Sequence, residues 1–141
     1  MLDLKLWQAR LVSELGSIVK KVGYSSGIAE ALKKTVVLSP SVYVVPKSEQ
    51  NEDRDSTGFH GSLATASTDI VIVARDYGDA TGNRATDELK TVTDAVFSAL
   101  NGWLPSDAST RIHQRSSKRY GMLKGALIWV VTYDCQYIKG E

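Results

Sequence analysis

The feature that most constrains this chain is the long segment from Leu123 to Ile138, in which apolar or aromatic residues recur at every second position. Successive side chains of a β-strand point to opposite faces of a sheet, so this pattern predicts a strand with one buried face. The residues on that face are Leu127, Trp129, Val131, Tyr133, Cys135 and Tyr137. We therefore expect a sheet that is packed against helices.

Two segments have the periodicity of amphipathic helices. In the first, apolar residues recur every three or four positions. They are Leu4, Trp7, Leu11, Leu15, Ile18 and Val22. Asp3 is placed to cap this helix and Gly23 to end it, while Gly16 marks a position where it can break. The second helix begins at Asn83 and stops at Asn101-Gly102. A shorter helix is expected from Ile28 to Lys34.

Three further segments favour strands. The first, Ser41 to Val45, is expected to end at Pro46, before a polar stretch from Lys47 to Thr57 that forms an exposed loop or the tip of a long hairpin. The second, Thr65 to Arg75, contains Ile70 to Val73, apolar on both faces as in a central strand. The third, Thr110 to Lys118, would join the last strand through a turn at Tyr120-Gly121.

These elements predict a single α+β domain over residues 1–141, with an exposed polar loop at about 47–60. The expected sheet is four-stranded, mixed and mostly antiparallel, because the connections are short. It packs against two main helices, in the order α-β-β-α-β-β. The longest uninterrupted apolar run, Ala126 to Val131, is far shorter than the ~20 residues that span a bilayer, so no contact with a membrane is predicted.

Charge is unevenly distributed along a chain whose net charge is only +1. Residues 108–133 contain five basic residues and no acidic one, whereas residues 47–55 have a net charge of −2. Such asymmetry suggests surfaces that meet partners of opposite sign, either nucleic acid or a complementary face of a neighbouring subunit. A solvated hairpin with acidic residues nearby in space is the alternative.

No catalytic or metal-binding pattern is present in the sequence. His60 and His113 belong to no known spacing, and Ser62 is not in a nucleophile elbow. Cys135 lies on the apolar face of the last strand, where a buried, unreactive thiol is expected. The acidic residues at 52–55 do not follow an EF-hand pattern, and the glycines form no phosphate-binding loop. We therefore predict that the protein is not an enzyme and uses no cofactor or metal.

The segment Ala99-Leu100-Asn101-Gly102-Trp103-Leu104-Pro105 resembles a pattern, AL-x-GW-x-P, of the tail terminator proteins of long-tailed bacteriophages and prophages. In that family the pattern ends a helix and precedes a strand pair whose last strand is long and aromatic. The order of the remaining elements is similar too: an amphipathic N-terminal helix, a strand near a proline, a polar loop and a Val/Ile-rich strand.

This resemblance implies a structural protein that forms a ring, typically of six copies, on the last ring of the tail tube. Such a ring stops tube polymerisation and offers a surface to the head or its completion proteins. The implied partners are other copies of the chain, the tail tube protein and a neck protein, with DNA passing through the channel. The implied location is the head-proximal end of the tail in the virion, after assembly in the host cytoplasm.

Charge and expected exposure, rather than any transferable family motif, select the candidate residues for protein contacts or for the channel. They are Glu49, Glu52, Asp53, Arg54, Asp55, Arg111, Arg115, Lys118 and Arg119. One alternative function is that of a head-completion or tail-to-head joining protein of the neck. Another is a small nucleic-acid-binding module that uses the basic hairpin at residues 111–124, although Tyr120 is its only aromatic residue.

Overall fold

The structure is a computed structural model that describes residues 1–34, 40–52, 62–75, 83–123 and 125–139. Its three helices are α1 (Leu4–Leu15), α2 (Ile28–Lys34) and α3 (Asn83–Leu100). Its strands are β1 (Lys21–Tyr24), β2 (Ser41–Glu52), β3 (Ser62–Arg75), β4 (His113–Leu123) and β5 (Ala126–Lys139). They form one mixed sheet in the order β1-β2-β3-β5-β4. The α+β class is confirmed, and β3 is central as predicted.

The sheet has five strands, so the prediction of four strands and the order α-β-β-α-β-β were wrong. The first helix ends at Leu15, with Gly16 as its C-cap, and does not continue to Val22. Residues 21–24 instead form β1, which pairs in parallel with Ser41–Val44 of β2. The periodic stripe was misleading because Ile18 and Val22 continue the helical spacing from outside the helix: Ile18 is exposed, and Val22 packs against the core from β1. Asp3 caps α1 as expected, accepting a hydrogen bond from the Lys5 backbone N–H at 3.0 Å.

Strand β2 continues past Pro46, where the sequence analysis ended it. The register of β2 with β3 shifts between Pro46 and Ser48, which is a β-bulge, and pairing then resumes as far as Glu52 and Leu63. Proline is tolerated at such a bulge because the ladder is locally disrupted there. Residues 47–52 are therefore part of a long hairpin rather than a loop. The rest of the expected polar loop, residues 53–60, falls outside the described residues.

The connection between the last two strands also differs from the prediction. Tyr120 and Gly121 lie within β4, at a register shift between Arg119 and Gly121. The chain turns after Leu123, where Gly125 has a φ of +80°. This left-handed conformation favours glycine and explains the sharp reversal into β5.

Helices cover both faces of the sheet, but unequally. On one face, here called the α1/α3 face, α1 and α3 bury the alternating residues of β5 predicted from the sequence, including Val131, Tyr133 and Cys135. Trp103 and Trp129 are only half-buried against this core. On the other face, the α2 face, Ala31 of α2 packs on a smaller apolar cluster that includes Tyr43. Each fully buried large apolar side chain contributes about 1.5–3 kcal/mol to stability.

In the described part of the chain, no helix has the length and apolar character needed to cross a bilayer.

Candidate protein–protein interface

The two outer edges of the sheet are exposed for part of their length. Strand β4 forms one edge. At the other edge, β1 covers only Ser41–Val44 of β2, so the segment 45–52 is also outermost. Apart from the bonds of the sheet itself, no backbone hydrogen bond joins residues 45–52 or 115–123 to another described segment. Unpaired strand edges are natural sites for pairing with another chain.

The basic residues chosen from the sequence lie along and just before β4. Lys118 is opposite Val130 and therefore on the α2 face, whereas Arg119 is opposite Trp129 and on the α1/α3 face. Both side chains are exposed. Because neighbouring residues of a strand point to opposite faces, Lys118 and Arg119 do not share one surface of the sheet.

The other two candidate arginines make contacts within the chain. Arg111 precedes β4 and donates through Nη1 to the Gly102 carbonyl at 2.8 Å. Arg115 lies at the register shift between Gln114 and Ser116, and its Nη1 is 3.9 Å from a carboxylate oxygen of Asp134. Both arginines nevertheless have exposed side chains. Their contacts position the start of β4, and their exposed guanidinium groups leave positive charge on its surface.

Glu49, the acidic candidate that the structure describes fully, links β2 to the end of β5. Its carboxylate accepts hydrogen bonds from the Tyr137 hydroxyl and from Lys139 Nζ, the latter at 2.8 Å. These two bonds hold the pKa of the Glu49 carboxyl below its ordinary value. Burial, together with the Glu49 carboxylate, raises the pKa of Tyr137 to about 12. Glu49 therefore remains ionised in the folded protein at neutral pH.

The other candidates near Glu49 in the sequence are Glu52, Asp53, Arg54 and Asp55. Glu52 is the last residue of β2. Asp53, Arg54 and Asp55 fall outside the described residues, as does His60. The assignment of all nine candidates to an interface or a channel remains a prediction.

Sequence reasoning missed a row of buried polar residues on the α2 face. Ser67 donates to Asp134 at 2.6 Å, and Thr132 donates to Asp69 at 2.7 Å. Lys47 Nζ lies 4.0 Å from Asp69, at the bulge of β2. Two nearly buried carboxylates are thus balanced by hydroxyl donors and by cations at either side, as buried charge requires. The indication in the sequence was the position of Asp69 in β3 and of Asp134 in β5, since each alternates with residues that face the other side of the sheet.

Two grooves on the α1/α3 face flank the ends of the sheet. The first has a volume of about 350 Å³ and lies between the N-terminal residues Met1–Leu4 and strands β2 and β3, with Glu49 on its wall. The second, about 390 Å³, lies between α3 and strands β4 and β5, with Arg119 and Trp129 on its wall. Each groove therefore lies beside one of the exposed strand edges.

The AL-x-GW-x-P segment joins α3, β4 and α1. Gly102 has a φ of +85°, as expected just past a helix end. It exchanges backbone hydrogen bonds with the start of β4: the Gly102 N–H donates to the Ile112 carbonyl, and the Ile112 N–H to the Trp103 carbonyl. Arg10 of α1 stacks over the Trp103 ring, 5.4 Å from its centroid, and donates to the Ala99 carbonyl. The motif thus fixes the geometry of β4.

The described residues contain no group of three or more His, Cys, Asp or Glu side chains placed to hold a metal ion. Cys135 is fully buried, and burial raises the pKa of its thiol to about 12.

Comparison with known proteins places this arrangement in a family. No curated protein matches the chain. Among solved structures, a chain of the virion of a native gene transfer agent particle has the same fold, with a TM-score of 0.56 and 18% identity, over 95% of this chain and 90% of that one. The model of the phage tail terminator protein family matches residues 1–141. The resemblance found in the sequence is confirmed: the chain belongs to the phage tail terminator family and is a structural protein of the phage tail.

Proposed function

We propose that this protein closes into a six-membered ring on the last ring of the tail tube, stops polymerisation there and offers its opposite surface to the neck. The observation that carries the proposal is the family match over the whole chain. Its partners would be other copies of itself, the tail tube protein and a head-completion or neck protein. Assembly would take place in the host cytoplasm, and DNA would only pass through the channel.

The structure supports this proposal physically. A closed ring uses head-to-tail contacts, in which two different surfaces of each copy meet. The two ends of this sheet are different surfaces, since one is the basic strand β4 and the other is the segment 45–52 with Glu49 and Glu52. Capping a polymer needs such interfaces and no catalytic chemistry.

A nucleic-acid-binding module is less well supported. Lys118 and Arg119 point to opposite faces of β4, and Arg111 and Arg115 are engaged within the chain. A phosphate backbone is bound by cations on one continuous surface, with steep salt dependence. The basic residues described here do not form such a surface.

Tail length in phage particles that lack this gene tests the proposal. We expect electron micrographs of the deletion lysate to show tubes well beyond normal length, because growth is no longer stopped. A plasmid copy of the intact gene should restore normal length, which controls for effects on neighbouring genes. Tails of normal length beside unattached heads would instead identify a joining protein of the neck. Intact particles would exclude both functions.

A further inference from the structure

We propose that neighbouring copies are joined by strand pairing, in which Ser116–Tyr120 of β4 in one copy pairs antiparallel with Ser48–Glu52 of β2 in the next. This inference rests on the proposed ring and specifies how the ring closes. It assigns a partner to both exposed edges of the sheet at once. The occupant of each edge is a second copy of the same chain.

Strand direction gives the first argument. From β2 through β3 and β5 to β4, every pairing is antiparallel, so β4 runs opposite to β2. Rotation about a ring axis that follows the strands leaves their direction unchanged. When copies meet side by side, β4 of one therefore lies antiparallel to β2 of the next. The available β2 edge begins at Ser48, since Pro46 has no N–H to donate and Lys47 lies at the bulge.

Position along the strands gives the second argument. Pairing through β3 puts Gln50 of β2 at the same height along the strands as Gln136 of β5. Lys118 of β4 is at the height of Val130 of β5, which is six residues from Gln136. If neighbouring copies were not shifted along the strands, Lys118 of one copy would not lie opposite Gln50 of the next. In a closed barrel, however, strands tilt by about 35–45° to the axis. From β2 of one copy to β2 of the next there are four strand spacings of about 4.8 Å, which shift neighbouring copies by about 4–6 residues along the strands.

The faces of the sheet leave two values of that range, four and six residues. Opposite residues of paired strands must share a face, so only an even displacement preserves both faces. A displacement of six places Lys118 opposite Gln50 on the α2 face. It places Arg119 opposite Glu49 on the α1/α3 face, where the carboxylate is already held in place by Tyr137 and Lys139. A displacement of four would instead place Arg119 opposite Lys47 at the bulge, so the pairing of opposite charges favours six.

The same geometry assigns an outer face to the ring. A crossover from β1 through α2 to the parallel strand β2 is right-handed, which fixes the left-to-right order of the strands as seen from each face. The right-handed twist of strands fixes the sense of their tilt in a barrel. With that sense, β4 meets the segment 48–52 only when the α1/α3 face is outward. The α2 face then faces the channel.

The charges on β4 also exclude the simplest competing contact, pairing of two β4 edges. Cationic residues and bulges on an edge strand prevent pairing with an identical edge. Lys118 and Arg119 would meet their own counterparts in such a dimer, whereas the next copy offers Glu49 to Arg119. The charges on β4 therefore disfavour pairing with another β4 edge but permit pairing with the β2 edge of the next copy.

Oxidative cross-linking of the full chain tests the contact. The variant Lys118→Cys/Gln50→Cys should give a ladder from dimer to hexamer on a non-reducing gel, since each copy links to the next. The native Cys135 is buried and does not compete. Lys118→Cys and Gln50→Cys alone should give no ladder. Lys118→Cys/Asn51→Cys, with the two thiols on opposite faces, should give at least tenfold less product.

Each result has a definite meaning. Absence of a ladder, or an equal ladder with Asn51→Cys, overturns the proposed pairing. A dimer from Lys118→Cys alone also overturns it, in favour of pairing between two β4 edges. Hexamers that persist in native mass spectrometry without a ladder would overturn this contact and leave the ring intact. Tails of normal length in the deletion strain would remove the proposed function, whatever the ladder shows.

Discussion

At the scale of single residues, Gly23 has a role that only the structure reveals. It is buried in β1 opposite Tyr43, and a Cβ added there would lie 2.7 Å from two atoms of the Tyr43 ring. That ring is itself fully buried and cannot move aside freely. We expect Gly23→Ala to lower the free energy of unfolding by about 1–3 kcal/mol, the usual cost of overpacking. Urea unfolding followed by tryptophan fluorescence measures it.

The matched control is Gly121→Ala, in the other edge strand of the sheet. A Cβ at Gly121 would have no neighbour within 4 Å, and the residue does not have a positive φ. Its free energy of unfolding should stay within about 0.5 kcal/mol of that of the unaltered protein. Equal losses in both variants would mean that strand glycines are needed for flexibility, not for contact with Tyr43.

The sequence could not distinguish these two glycines, because steric demand depends on what pairs with the strand. It did predict that α3 stops at Asn101-Gly102, since a glycine after a helical stripe is a local signal. It also predicted burial of Cys135 from alternation alone. Asp69 and Asp134 were overlooked because an acidic residue in a strand is read as exposed unless its hydroxyl partners, which are distant in sequence, are known.

At the scale of elements, Glu49 fastens the extended end of β2 to the end of β5. We expect Glu49→Gln to lower the free energy of unfolding by about 1 kcal/mol at pH 7, a modest value because the carboxylate is partly exposed. The pKa of Glu49 is lower in the folded protein than its ordinary value of 4.5. Its ionised form therefore stabilises the fold above that ordinary value, and this contribution is lost as the pH falls through the lowered pKa.

The difference between Glu49→Gln and the unaltered protein should accordingly shrink in acid, which urea unfolding at a series of pH values measures. Glu30→Gln is a suitable control, since Glu30 forms an exposed ion pair with Lys33 on α2. It should change stability little at any pH. A difference for Glu49→Gln that persists undiminished in acid would show that the amide disturbs packing, and that the ionic bonds are unimportant.

Most elements were predictable from the sequence, and the errors have physical causes. Periodicity located α3, β3 and β5 because each buries one continuous stripe or run. It failed at β1, because Ile18 and Val22 extend a helical spacing by coincidence. Pro46 was taken as the end of a strand because the bulge that accommodates it is a property of the pair β2–β3, not of β2 alone.

At the scale of the whole molecule, Cys135 lies in the core and is the one cysteine of the sequence. Burial, with smaller effects of Asp107 and Asp134, raises the pKa of its thiol to about 12. At pH 8 we expect a thiol reagent to label the native protein only through unfolding, with the same urea midpoint as tryptophan fluorescence. Lys118→Cys, which places a thiol on the exposed edge, should react at once. Rapid labelling of Cys135 in native buffer would reveal local opening of β5.

The position of β5 in the sheet has a consequence for the time at which the molecule becomes stable. The last strand of the chain is inserted between β3 and β4, and its partner β3 is about 60 residues earlier in the sequence. Such non-local pairing slows folding, because the chain loses loop entropy before the strand contacts that compensate for this loss can form. During synthesis, the sides of β3 and β4 that pair with β5 stay unpaired until β5 has left the ribosome. A chain truncated before β5 would lose Val131, Tyr133 and Cys135 from the core, so we expect it not to reach the native fold.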